Sequence, residues 1–373
     1  MATNGTAFAA TAHIDLDALT ANLALVRARA PSARVMAAVK ANAYGHGIVE
    51  VATALTDVDA LAVARIDEAA QLRAAGIETP ITILEGVFDA VQMRLAAELR
   101  CDLVVHCDEQ IALLRAYRGV PFKTWLKVNT GMNRIGFQPP VALDALQQLT
   151  ALTGVGDVRI MTHFASADVD GHETSARQLN ALTPLLAASN ADVSVANSAA
   201  LFSEHPLYQQ FAESAASQRK TWVRPGIALY GISPFAGTTA ADLGLAPVMQ
   251  FESRIIAVQN LQPGDAVGYG GRFVASSPMR IGVVAAGYGD GYPRMMPDGT
   301  PIMVDSMPSQ LVGRVSMDML TVDLTSCPDA GYGASIRLWG SGIPVETIAA
   351  RMGNIGYELV TRVSARVQRC YSR

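Results

Sequence analysis

The chain has 373 residues, 50% hydrophobic and 17% charged, enough to bury a large core and to form two domains or one barrel with an appendage. A net charge of −4 without any basic block argues against nucleic acid as a partner, and no apolar run approaches a membrane span. Met1-Ala2-Thr3-Asn4-Gly5-Thr6 has no Lys or Arg and no apolar core, so a secretory signal is not expected and a cytoplasmic location is the default. Cys101, Cys107, Cys327 and Cys370 lack C-x-x-C spacing and read as reduced thiols. The six histidines are scattered without an H-E-x-x-H pairing, so no metal site is expected.

In chain order, His13-Ile14-Asp15 reads as a short strand, and Asp15 and Asp17 cap an amphipathic helix over 18–28. Short β-rich apolar runs then alternate with longer Ala- and Leu-rich helical patterns. The runs fall at 35–39, 61–64, 81–84, 103–105, 124–128, 158–162 and 193–196, with a last one near Trp222 and Val223. Eight such units predict an α/β fold, a (β/α)8 barrel of the TIM type. Each run ends at a polar residue: Lys40, Arg65, Glu85, His106, Lys127, His163, Asn197 and Arg224. Singly, each could be a solvated loop residue, but in this fold the carboxyl ends of the strands converge on one face and would gather them into one site.

Between Pro234 and Pro247 the periodicity is lost, and Gly237, Thr238, Thr239 and Gly244 mark a linker. Residues 1–240 are therefore expected to form the barrel domain, with a first strand near 12–16 that is a candidate to pair elsewhere. Residues 241–373 are expected to form an all-β domain with strands near 252–258, 280–285, 302–304 and 336–339.

The chemistry begins at Lys40, which ends the run Val35-Met36-Ala37-Ala38-Val39 and opens Ala41-Asn42-Ala43-Tyr44-Gly45-His46-Gly47. A nucleophilic amine at a strand's mouth, followed by a flexible turn with a Tyr hydroxyl, suits an anionic, aldehyde-bearing cofactor. An exposed lysine before a helix cap is the plainer alternative. Further along come Lys127-Val128-Asn129-Thr130-Gly131-Met132-Asn133-Arg134-Ile135-Gly136, Thr162-His163-Phe164-Ala165, Ala196-Asn197-Ser198-Ala199-Ala200, Arg224-Pro225-Gly226-Ile227-Ala228-Leu229-Tyr230-Gly231, Val267-Gly268-Tyr269-Gly270-Gly271 and Val312-Gly313-Arg314-Val315-Ser316-Met317-Asp318-Met319. In this order and over nearly the whole chain, these segments resemble the alanine racemases.

The resemblance implies a pyridoxal 5'-phosphate enzyme acting on alanine, a homodimer with shared active sites. Lys40 would carry the cofactor and act as one base; Tyr269 of the partner subunit would be the other. Free Lys and Tyr have pKa values of about 10.4 and 10, so both would need lowering, and His163 and Arg224 are the neighbours expected for Tyr269. Ser198, Gly226 and Ile227, in the loops after strands seven and eight, would bind the phosphate together with Tyr44 and Tyr357, with Asn197 beside them. Asn197-Ser198 could also be an ordinary helix cap, and Tyr269 a packed aromatic at a turn.

Arg224 is implied to face the ring nitrogen. An always-charged guanidinium can only donate there, which should limit the ring as an electron sink and suppress transamination. Arg134, near the phenolic oxygen, needs an anion to hold its fork, and Lys127 has the wrong sign unless it is carbamylated, as its counterpart is in several family members. Arg134, Met317 and Asp318 would contact substrate; Tyr288 and Tyr292 would line an access corridor that admits a side chain no larger than methyl. An amino-acid decarboxylase on the same barrel would be expected to carry an acid where Arg224 stands. A non-catalytic pyridoxal-phosphate carrier would lack the domain that holds Tyr269. Two departures from the family pattern stand out, Gly289 in place of a usual Ala and Gln368 in place of a common Pro. The reading leaves two cellular roles open, supply of D-alanine for peptidoglycan or its degradation.

Overall fold

The computed structural model describes residues 8–169, 173–208 and 219–373; the opening Met1–Thr6 lies outside them. The chain divides into two compact units, one of Asn22–Ala43 and Ile48–Leu229, the other of Met1–Ala21, Tyr44–Gly47 and Tyr230–Arg373.

After β1 (Thr11–Asp15), the first unit is built on β2 (Arg34–Ala38), β3 (Ala60–Val63), β4 (Ile81–Ile83), β5 (Cys101–Val105), β6 (Phe122–Lys127), β7 (Val155–Met161), β8 (Val193–Asn197) and β9 (Thr221–Arg224). These eight strands form a closed barrel in chain order, and β9 returns to β2 through the parallel pair Arg34↔Trp222. Parallel strands covered on both faces need near-continuous apolar runs, which is why all four residues of β3 and the last four of β2 are buried.

Met36, Ala62, Val104, Trp125, Met161 and Trp222 pack together in one core cluster of the barrel. Arg159 is buried here, its guanidinium 5.3 Å from the Trp125 ring and 5.2 Å from that of Trp222. Asp157 at 2.8 Å and Asp102 at 3.4 Å offset the cost of burying the charge. Burial in turn pushes the Asp102 carboxyl up to about 6, against the pull of Arg159.

The second unit is strand-rich. It comprises β1, β10 (Met249–Leu261), β11 (Ala266–Val267), β12 (Phe273–Val274), β13 (Met279–Val284), β14 (Pro301–Val304), β15 (Met307–Gln310), β16 (Leu320–Asp323), β17 (Ser335–Trp339) and β18 (Gln368–Ser372). The main sheet runs β15-β14-β17-β10-β1-β18, with β13 joining β10 to β16. β1 alternates buried Ala12 and Ile14 with outward residues; it pairs antiparallel with β10 and parallel with β18, His13 lying opposite both Gln250 and Cys370. Two short helices, Val345–Ala350 and Gly356–Thr361, accompany the strands. β11 and β12 form a separate small ribbon, Val267 opposite Phe273, with the turn Tyr269–Gly271 at its tip. No helix among the described residues is long and apolar enough to cross a membrane.

Candidate active site

Lys40 follows the end of β2 after one intervening residue, Val39, and starts a backbone segment of unusual hand. Ala41, Asn42, Ala43 and Tyr44 all have φ between 52° and 54°, a left-handed turn made without glycine. Residues other than Gly and Asn cost roughly 1–2 kcal/mol each in that conformation. Within the barrel unit the turn is held by Ala41 N donating to Glu68 Oε1 at 2.6 Å, Ala43 N to Val39 O at 2.8 Å and Ile48 N to Asn42 Oδ1 at 2.9 Å. Glu68, which the sequence reading did not single out, also accepts from Ala64 N at 2.7 Å and Arg65 N at 3.2 Å. One carboxylate thus ties together the chain ends after β2 and β3. Its signal in the sequence was a Glu three residues after the strand-ending Arg65, the spacing of a helix-start cap.

Arg224, last residue of β9, is the hub of the barrel mouth. Its Nη1 donates to Ser194 Oγ at 2.5 Å, and its Nη2 to Thr162 O at 2.5 Å and His163 Nδ1 at 3.2 Å. A guanidinium has only donors, so Nδ1 must be the accepting nitrogen of His163. Burial first, and then the cations led by Arg224, holds His163 well below the usual histidine range, so the ring is neutral. The carbonyl of His163 and the amide of Ala165 are held by Gln178, at 2.9 Å each. The same amide of Gln178 donates to Thr130 Oγ1 at 3.2 Å, Thr130 and Thr162 share a 2.7 Å hydroxyl contact, and Thr162 donates on to Val128 O at 2.9 Å. These supporting groups, Thr130 and Thr162 beyond the ends of β6 and β7, Ser194 on β8 and Gln178 on the helix Glu173–Ala187, were not legible in sequence, because nothing in a lone Thr, Ser or Gln marks it as buried.

Lys127 is buried at the end of β6, and its amine is held well below the usual lysine range, first by burial and then by the charges of Arg224, Arg134 and Lys40. The Lys40 amine is also lowered, by burial first and Arg134 second, with Glu68 and Glu85 acting in the opposite sense. Arg134 is exposed at the tip of a loop closed by the mutual bonds of Lys127 O with Phe137 N and of Asn129 N with Phe137 O, both 2.9 Å. No carboxylate pairs with it among the described residues.

Asn197 does cap the helix Ser198–Phe202, its Oδ1 accepting from Ala200 N at 3.0 Å. Ser198 faces the loop after β9: its Oγ accepts from Gly226 N at 2.9 Å and Ala228 N at 3.3 Å, while Ile227 is buried and opens a 3-10 turn. Two amides and a hydroxyl therefore converge at one point, the donor set a phosphate would take. Arg65 and Glu85 pair at 3.8 Å, and His106 Nε2 contacts Glu85 O at 3.1 Å; these run ends engage one another on the β3 to β5 side.

The strand-rich unit holds the remaining candidates. Tyr44 stacks on Tyr230 with centroids 4.8 Å apart and lies 6.2 Å from Tyr357; burial raises its phenol to about 12. Tyr269 projects from the tip of the β11–β12 ribbon and is 69% exposed, beside an open pocket of about 480 Å3 that Arg314, Ser316 and Met319 also line. A phenol so presented is not a packed turn aromatic. Tyr288 is partly exposed, whereas Tyr292 is fully buried and stacks on Trp339 with centroids 6.2 Å apart. Met317 and Asp318 are exposed on the loop before β16, and Arg366 binds Asp318 Oδ1 at 2.9 Å. No group of three or more His, Cys, Asp or Glu among the described residues is placed to hold a metal ion.

A closed parallel barrel with a depressed lysine amine at the mouth of its first strand, together with a strand-rich second unit, defines the class of protein. Residues 14–234 match the family model of the alanine racemase N-terminal domain and residues 248–371 that of the alanine racemase C-terminal domain. The chain is 46% identical over 360 residues to the alanine racemase of Nitrosospira multiformis, covering 96% of this chain and 98% of that one. It is 43% identical over 363 residues to the biosynthetic alanine racemase of Pseudomonas aeruginosa, covering 97% and 98%. The solved structure of a biosynthetic alanine racemase from Pseudomonas aeruginosa superposes with a TM-score of 0.91 at 42% identity, covering 98% of this chain and 100% of that one. That of the alanine racemase from Acinetobacter baumannii gives 0.89 at 37%, with the same coverage. The chain belongs to the alanine racemase family.

Proposed function

We propose that this chain interconverts L- and D-alanine, with pyridoxal 5'-phosphate held by Lys40 and with Lys40 and Tyr269 of the partner subunit as the two bases. The observation that carries the reading is the gathering of Lys40, Lys127, Arg134 and Arg224 in the barrel unit, where their mutual repulsion and burial depress both lysine amines. That donor set fits a cofactor with a phosphate, a phenolic oxygen and a ring nitrogen. When bound, the cofactor supplies an electron-withdrawing ring that acidifies the substrate's α-hydrogen.

The protein's own residues do the rest. Lys40, its amine lowered first by burial and then by Arg134, takes or returns a proton on one face. Tyr269 stands outward on a ribbon tip, the placement a residue needs in order to serve another protomer's site, and works the opposite face. Arg224 donates to the ring nitrogen and offers it no transferable proton, which favours return of the proton to the α-carbon over transamination. Ser198, Gly226 and Ile227 bind the phosphate with Tyr44 and Tyr357. Lys127, its amine neutral, takes up carbon dioxide and releases a proton to become a carbamate, the anion that Arg134 lacks, and the pair would hold the phenolic oxygen. Met317, Asp318 and Tyr288 restrict access to a methyl side chain, with Tyr292, expected beside them, buried against Trp339 instead.

The enzyme works in the cytoplasm as a homodimer. Likeness to the biosynthetic Pseudomonas aeruginosa racemase supports D-alanine supply as its role. A screen of small L-amino acids with chiral detection of product tests the activity: alanine should racemise fastest and serine slowly. Decarboxylation, or binding of the cofactor without turnover of any amino acid, would overturn it.

A further inference from the structure

In the strand-rich unit, Arg366 spends its whole fork on two neighbouring loops. Nε donates to Asp290 Oδ1 at 2.8 Å, Nη1 to Asp318 Oδ1 at 2.9 Å and Nη2 to Met317 O at 3.3 Å. Asp290 is a firm base for this arrangement: it is buried, and its second oxygen accepts from Gly287 N at 2.8 Å. The loops themselves lie backbone on backbone, Tyr288 N donating to Ser316 O at 3.0 Å and Gly289 N to Met317 O at 2.8 Å.

This packing depends on a missing side chain. A Cβ at position 289 would stand 2.6 Å from Arg366 Nη2, 2.8 Å from its Cζ and 3.0 Å from Met317 O. Gly289 is also one of the two places where the chain departs from the alanine racemase pattern. An alanine there would have to push the guanidinium off Met317 and Asp318 while leaving the Nε bond to Asp290 within reach.

We infer that Arg366, admitted by the absent side chain of Gly289, is the positioning residue of the Met317–Asp318 gate and neutralises Asp318 where an amino acid's carboxylate must pass. The inference rests on the proposed reading of that loop as the substrate gate. Without the guanidinium, the loop loses two fixed points, and Asp318 stands as an uncompensated charge that repels the substrate carboxylate.

The test uses the holoenzyme and its variants Gly289→Ala, Arg366→Gln, Arg366→Lys and Arg366→Lys with Gly289→Ala. If the wild type racemises no alanine, the proposed function fails and the gate geometry is not at issue. With an active wild type, Gly289→Ala and Arg366→Gln should each raise KM for alanine by roughly three- to tenfold, keep kcat within about twofold and narrow the preference for alanine over serine. Lysine has no planar fork for a 289 methyl to displace, so adding Gly289→Ala to Arg366→Lys should change KM by less than about twofold. Gly289→Ala deletes no donor or acceptor group and carries the test should Arg366→Gln fail to fold. A Gly289→Ala enzyme with wild-type KM and preference overturns the inference, as does a full, independent Gly289→Ala effect in the lysine background.

Discussion

Arg224 Nη2 donates to His163 Nδ1 at 3.2 Å, and this contact fixes the protonation of the ring as well as its place. A histidine that accepts from a guanidinium, and is buried besides, cannot take a second proton without repelling its neighbour.

The sign of the resulting pH effect follows. The folded pKa of His163 lies below the unfolded value, so stability is full above about 6.5 and falls as pH drops below it, because the unfolded chain then binds the extra proton. Urea titrations of wild type and His163→Gln between pH 7 and 5 should show the wild type losing about 2 kcal/mol more than the variant in all, with the slope approaching roughly 1.4 kcal/mol per pH unit below pH 6. Parallel curves would mean that His163 protonates freely in the fold.

Arg134 is the largest charge acting against the proton on Lys40, after burial. Arg134→Gln should therefore raise the Lys40 pKa and move the acidic limb of the pH profile for kcat/KM toward higher pH. An unmoved limb would show that another group sets it. The same variant also removes the partner proposed for a Lys127 carbamate, so mass spectrometry under carbon-dioxide-retaining conditions should find less added carboxylate on the peptide with Lys127.

Most of the barrel is legible in the sequence because each parallel strand is covered on both faces and so reads as an unbroken apolar run. The polar residues that end those runs are at the strand mouths, and Arg224, His163 and Lys127 act on one another there. What could not be read depends on contacts across the fold. The left-handed turn of Ala41, Asn42, Ala43 and Tyr44 uses, apart from Asn42, residue types that avoid that conformation, and bonds to Glu68, Val39 and Ile48 sustain it. Arg366 meets Asp290 and Asp318 across sequence gaps of 76 and 48 residues. β11 and β12 are two residues each, too short for any alternation to register.

Arg224→Glu should lower racemisation by roughly a hundredfold and raise the share of transamination, since an acidic partner stabilises a protonated ring nitrogen. Product analysis separates the two reactions. An unchanged ratio would remove Arg224 from control of the reaction course. The variant should also lose stability, because Thr162 O and Ser194 Oγ lose a buried charged donor.

Borohydride treatment of the yellow holoenzyme should fix the cofactor on the tryptic peptide that contains Lys40, and Lys40→Ala should lose both the label and the visible absorption. A label on Lys127 would reassign the attachment, since that amine is the other one lowered at the barrel mouth.

The central claim is a site completed between subunits, with Lys40 from one chain and Tyr269 from the other. Lys40→Ala and Tyr269→Phe homodimers should each be nearly inactive. Mixed in equal amounts under conditions of verified subunit exchange, they should regain about a quarter of wild-type activity per protomer, because half the dimers then carry one intact site of two. If exchange is complete and activity stays at the sum of the two backgrounds, Tyr269 does not act across the dimer, and the two-base account is wrong.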